Sequence, residues 1–272
     1  MAPTLKEWAE KHEMHFLKDP GIKTITKEHI QSVIQEYKSL LDNCGSEQDI
    51  HNLIQNNSYF FSGLMRMHGQ TPLYSKIKLG SEYVTDFVYF DLGSFGPDWM
   101  LIEIEPPSAK FFTKTGNPTA EFNHAIQQVR DWQDWLVENL DYARKLMPGI
   151  HYPYGYLFIG RRSELTPENK AKMKRISYDC RSFAHIYTLD RLVDWASYAL
   201  NNIEDEGGGN WTVPLRAYSH KDLVERKPPE TFYWLNRHGT MPSGAEYLRD
   251  WHSWDYPGSD YRENMGSGDP EY

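Results

Sequence analysis

Between Trp99 and Pro107 the chain reads WMLIEIEPP, and no other run constrains the fold as much. A strand turns successive side chains to opposite faces. Met100, Ile102 and Ile104 therefore share one face, and Leu101, Glu103 and Glu105 share the other. The preceding run, Tyr83 to Phe90, is rich in β-branched and aromatic residues, and Gly93, Gly96 and Pro97 separate it from Trp99. Two such runs across a turn pair as a hairpin, which carries Asp86 towards the two glutamates. Three carboxylates gathered on a buried strand repel one another unless they are protonated or hold a cation. An all-oxygen set of this kind suits magnesium, manganese or calcium. An acid pair at i, i+2 on its own marks nothing, because most such pairs are simply solvated; the surroundings decide.

Those surroundings alternate strands and helices. Lys27–Leu41 carries Ile30, Val33, Ile34, Tyr37, Leu40 and Leu41 on one helical stripe. Ser46 opens a second helix, with Asp49 at the capping-box position. Glu47 and Asp49 are further acids that this helix start can bring towards a metal, although capping accounts for them equally well. Tyr74–Leu79 alternates polar and apolar residues as a strand does, and a long helix is expected from Thr119 to about Met147. On that helix Gln128 stands one turn before Trp132, and Trp132 and Trp135 read as core. The apolar run Tyr154–Ile159 fits a central strand covered on both faces. A basic helix over Thr166–Asp179, a strand over Ala184–Thr188 and a helix over Asp190–Asn201 follow, implying a parallel crossover. The expected class is α/β, a mixed central sheet flanked by helices.

Charge and composition narrow the function classes. A net charge of −9 argues against a broad, sequence-independent grip on nucleic acid. Locally, Arg161–Arg181 holds seven basic residues against Glu164, Glu168 and Asp179, a balance of 7 − 3 = +4. No apolar run is long enough to cross a bilayer, and MAPTLKEWAEKH, expected as a short helix, lacks the apolar core of a signal peptide. Cys44 and Cys180 have no metal-like or redox spacing. A cytoplasmic protein with no membrane partner is expected. A glycosidase cleft does not suit the acids, since neighbours on one strand do not flank a sugar from opposite sides.

The order Asp, glycine turn, then hydrophobic-Glu-hydrophobic-charged resembles the signature of PD-(D/E)xK nucleases. The longer run LIEIEPPSAKFFTKTGNPTAEFNHAIQQVRDWQDWL is similar to the nuclease domain of the Shedu family of prokaryotic antiphage defence proteins. The matching positions are Asp86-Phe87-Val88, Glu103, Pro106, Phe112-Thr113, Ala125 and Gln128-x-x-x-Trp132, and the likeness runs from about Asn56 to Ile203. It implies a restriction-endonuclease-like domain over 56–203; the residue pattern itself puts a helical segment, 1–55, before it and an irregular, aromatic-rich extension, 204–272, after it. It also implies a metal-dependent DNA endonuclease, with Mg2+ or Mn2+ on Asp86 and Glu103 and a homo-oligomeric assembly. One departure stands out: Glu105 occupies the position of the signature lysine. Glu105 is then a further ligand or water-orienting group, and Gln128 supports the site. Lys110 is the nearest replacement cation, and Lys110, Lys114, Arg161 and Arg162 are candidate DNA contacts. The alternative that the departure raises is a catalytically weakened nuclease fold serving as a nucleic-acid or protein binding module.

Overall fold

The computed structural model describes residues 22–61, 64, 73–93, 96–147, 149–205, 210–214 and 217–225. The helix expected over Met1–His12 and most of the aromatic-rich extension lie outside them. The described chain opens with β1 (Ile22–Thr26), α1 (Lys27–Asp42) and α2 (Glu47–Gln55). Next come β2 (Leu73–Leu79), β3 (Tyr83–Gly93) and β4 (Gly96–Ile104), then α3 (Ala120–Glu138) and α4 (Leu140–Leu146). After these follow β5 (Tyr154–Phe158), α5 (Pro167–Asp179), β6 (Ala184–Tyr187) and α6 (Asp190–Asp205). β7 (Asn210–Pro214), β8 (Tyr218–Ser219) and α7 (His220–Glu225) close the described residues.

Six strands form one mixed sheet in the order β6-β5-β4-β3-β2-β8. The hairpin pairs β2, β3 and β4 are antiparallel, whereas β4-β5, β5-β6 and β2-β8 are parallel. β1 and β7 pair separately as an antiparallel ribbon. Alternation along the strands sorts the core into two layers. Val88, Phe90, Leu101 and Leu157 face one layer with Phe122, Val129 and Trp132 of α3 and Met173 of α5. Met100, Ile102, Ile104 and Phe158 face the other with Ile30 and Tyr37 of α1, Ile54 of α2 and Leu192 of α6. The result is a three-layer α/β/α arrangement, as the pattern of the sequence implies, with Trp132 and Trp135 in its core.

The expected single helix from Thr119 to Met147 is two helices. Asn139 leaves the helical basin at φ −120°, ψ 32°, and both its backbone N–H and its side-chain amide donate to the Trp135 carbonyl, ending the first helix there. The helix after β6 runs to Asp205, past the expected Asn201. α3 lies close on the sheet because β5 has a glycine beneath it: a Cβ on Gly155 would collide with Val129 Cγ1. The loop between β4 and α3 covers the carboxyl end of β5, where Gly160 (φ +56°) leaves room for the Ala109 carbonyl.

Candidate active site

The antiparallel register Phe87↔Ile102 continues by one residue to set Asp86 opposite Glu103. On the other side, Ser75↔Phe87 and Ile77↔Thr85 bracket Lys76 opposite Asp86. A row of cation, acid and acid therefore crosses three adjacent strands. Asp86 is 3% exposed and Glu103 is 7% exposed. Lys76 Nζ donates to Asp86 Oδ1 at 2.5 Å, and the Ile104 N–H donates to Oδ2 at 2.8 Å. Gln128 Nε2 reaches down from α3 to Glu103 Oε1 at 2.5 Å, as its position one turn before Trp132 implies. Glu103 Oε2 is buried and has no hydrogen-bond partner among the described residues.

Burial and mutual repulsion raise the acids. Desolvation pushes the Glu103 carboxyl well above the usual carboxylate range; Asp86, Glu105 and Glu47 push it further, against Lys76. Burial, then the charges of Glu47, Glu121 and Asp86, raise Glu105 to about 7. Glu47, half-buried at the start of α2, is raised by burial and by Asp86. Of the two acids on that helix start, Glu47 is the one that shares this field. Asp49 faces solvent and completes the capping box with Ser46. Behind the row, the buried His51 ring stacks on Phe87 with centroids 4.4 Å apart, and Nε2 donates to the Asp86 carbonyl at 3.4 Å. Burial holds that imidazole below its ordinary range.

Lys76 and His51 are the residues that the sequence reading did not single out. Lys76 carries a left-handed backbone, φ +52°, which costs energy for a residue with a side chain. It flips the strand's phase: Tyr74, Ile77 and Leu79 all face the same core layer, although a regular strand would turn Tyr74 and Ile77 to opposite faces. The signal was present as an apolar spacing of three, then two, in YSKIKL.

The other expected cations sit elsewhere. Lys110 is exposed and pairs with Glu164 at 3.4 Å, and Lys114 is exposed on the same loop. Arg161 is clamped between Asp42 of α1 and Asp190 at the start of α6, at 3.1 and 3.2 Å. Arg162 pairs with Asp194 at 2.6 Å. None of the four ion-pairs with the acidic row, where Lys76 is the cation in contact.

As to what the row can hold, the donor set is all carboxylate oxygen, and the orphaned Glu103 Oε2 is a buried acceptor awaiting a positive partner. Those features fit a hard divalent ion. Among the described residues no three acid, histidine or cysteine side chains converge into a finished metal cage. The Lys76 ammonium takes the place of one positive partner on Asp86. Among the described residues, too, no helix is long and apolar enough to cross a membrane.

Set beside known families, residues 45–193 match the family described as Shedu protein SduA, C-terminal. The match begins earlier than the likeness seen in the sequence and takes in α2 with Glu47. No curated protein matches the chain.

Proposed function

The chain belongs to the Shedu family of antiphage defence proteins, and on that basis we propose that it is a metal-dependent endonuclease that hydrolyses DNA phosphodiester bonds. The observation that carries this reading is the meeting of Asp86 and Glu103 from paired strands on one buried face, with Glu103 Oε2 unpartnered. Asp86 and Glu103 would hold Mg2+ or Mn2+, with Glu105 as the adjoining ligand. Such an ion, when bound, supplies Lewis acidity that lowers the pKa of a water and offsets charge on the phosphate. The protein's own groups divide the remaining work. Gln128 fixes the Glu103 carboxylate through Oε1 and so sets the direction of Oε2. Lys76 would supply the ammonium that the signature carries two residues after Glu103, brought here from β2, on the far side of β3 from Glu103. Its Nζ can hold a water or a phosphate oxygen beside Asp86. Glu105, raised to about 7 by burial and by Glu47, Glu121 and Asp86, would give up its proton on becoming a ligand.

A specific observation favours a second reading. Both oxygens of Asp86 already accept hydrogen bonds, from Lys76 and from the Ile104 N–H. A site neutralised from within suits a nuclease fold kept for binding rather than cutting. Cleavage of plasmid DNA in manganese separates the two. Wild type should cut. Asp86→Ala and Glu103→Ala should abolish cutting while staying folded, with a cooperative melt, and Gln128→Ala should slow it about 10–100-fold, as loss of a ligand-orienting partner does. Cutting retained by either alanine variant of the acids removes that residue from the site. A wild type that never cuts, in manganese or magnesium, leaves the binding module as the function.

A further inference from the structure

The cations of α5 have no role in the acidic row, yet they line a cleft of their own. It has a volume of about 440 Å³ and lies between α5, the end of β6 and the loop that follows β4. Leu165, Ile186 and Tyr187 contribute a part-exposed apolar and aromatic floor backed by the buried Phe111 and Met173, and Arg162, Lys170 and Lys174 the basic rim. Lys170, Lys174 and Ser177 recur at helical spacing and so share one face of α5. Within the described residues, Glu168 is paired with Lys172 instead, and no carboxylate pairs with Lys170 or Lys174. A chain with a net charge of −9 thus keeps unpaired positive charge where one side chain after another faces the same hollow.

The shape and placement of the cleft specify its occupant. A pocket of this volume is in the range that takes a small molecule or one monomer unit. It is too small to admit a duplex, whose paired bases are closed to an aromatic wall. A splayed nucleotide offers both halves of the required chemistry, a flat base for an apolar and aromatic floor and a phosphate for a cationic rim. The cleft also sits at the carboxyl end of the parallel strands, where such sheets place ligands. The loop that brings Phe111 to it begins at Glu105.

We propose that this cleft holds one unpaired nucleotide of the DNA strand, with its base against Leu165, Ile186 and Tyr187 and its phosphate against Lys170 and Lys174. The proposal rests on the endonuclease reading, since it names where the strand beside the acidic row is gripped. The test is fluorescence anisotropy on the full chain in EDTA, so that binding is read without cleavage. The probes are a labelled short single-stranded oligonucleotide and a blunt duplex of equal length. The charge variant is Lys170→Glu with Lys174→Glu, and the filling variant is Ser177→Trp, which intrudes from the wall and leaves every charge in place. Both are checked for folding by circular dichroism melting.

The charge variant should weaken single-strand binding more than about tenfold and flatten the dependence of log affinity on log salt by about 0.7, for the one lost phosphate contact. The filling variant should weaken the single strand and spare the duplex. Unchanged single-strand affinity in both folded variants overturns the proposal, as does an equal loss for duplex and single strand. A free deoxynucleoside monophosphate binding more tightly than the oligonucleotide also overturns it, by making the occupant a small molecule. The two readings fail separately. Wild type that cuts DNA while both variants bind normally defeats only the cleft. Wild type that cuts nothing but binds single strands through these residues defeats only the nuclease.

Discussion

Lys76 shows how a residue can be placed by its neighbours rather than by its own sequence context. The acids were legible because a strand's two-residue period is rigid: once Trp99–Glu105 is a strand, Glu103 and Glu105 must share a face, and the hairpin must bring Asp86 across. Gln128 was legible for the corresponding reason on a helix. Lys76 escaped because YSKIKL was read as one unbroken alternation, and a left-handed residue inside a strand cancels that assumption locally. Glu47 was ambiguous because capping and electrostatics both accept an acid at a helix start. The charge at these residues has a measurable sign. Glu103 and Glu105 have folded pKa values above the ordinary 4.5, with Glu105 at about 7. Between those limits the folded state keeps protons that the unfolded chain has released. Stability from this source is therefore complete below about 4.5 and declines as pH rises through about 7. The melting temperature in EDTA should fall by a few degrees between pH 5.5 and pH 8. Glu105→Gln should shrink that fall, and manganese should reverse it for wild type. A metal-free melting temperature that is flat or rises over this range would show that the acids do not repel as described.

At the scale of elements, the mixed sheet and its helices followed from periodicity, and the differences lie at the joints. Nothing in the apolar stripe of Thr119–Met147 distinguishes one helix from two, because the stripe runs on through the break. Asn139 ends the first helix by a local competition for the Trp135 carbonyl. Arg161 reads in the sequence as a candidate DNA contact because a sequence shows charges and not partners. Asp42 and Asp190, far away in the chain, are what turn Arg161 into a tie between α1, β5 and α6. Arg161→Ala should cost about 1–2 kcal/mol of stability, since the guanidinium is largely buried and doubly paired, while leaving DNA affinity within about twofold at equal salt. A large loss of affinity without loss of stability would return Arg161 to the DNA surface. Gly155 tests the seating of α3. Gly155→Ala must push Val129 away, costing about 1–3 kcal/mol as overpacking does. It should also slow cleavage by lifting Gln128 from Glu103. Wild-type melting in that variant would mean that the helix has more freedom over the sheet than its packing implies.

For the molecule as a whole, the family match ends at 193, yet the described residues beyond it complete α6 and add β7, β8 and α7. β7 pairs with β1 at the start of the described chain, and β8 lies along the outer edge of β2. A chain ending at 205 keeps every residue of the match and all of the acidic row. It should nonetheless melt several degrees lower and cut more slowly, as a melting curve and a plasmid assay on the shortened protein would show. Equal melting and equal cutting would make the later strands ornamental. The contact of β8 with β2 matters beyond stability. Ser219 is paired directly with Ser75, one residue before Lys76, and the Lys78 N–H donates to His220 Nδ1 at 3.3 Å. β8 and the start of α7 thus form a handle attached to the strand that carries the ammonium. Displacing β8 from the edge of β2 should therefore loosen the strand on both sides of Lys76, the residue that holds Asp86.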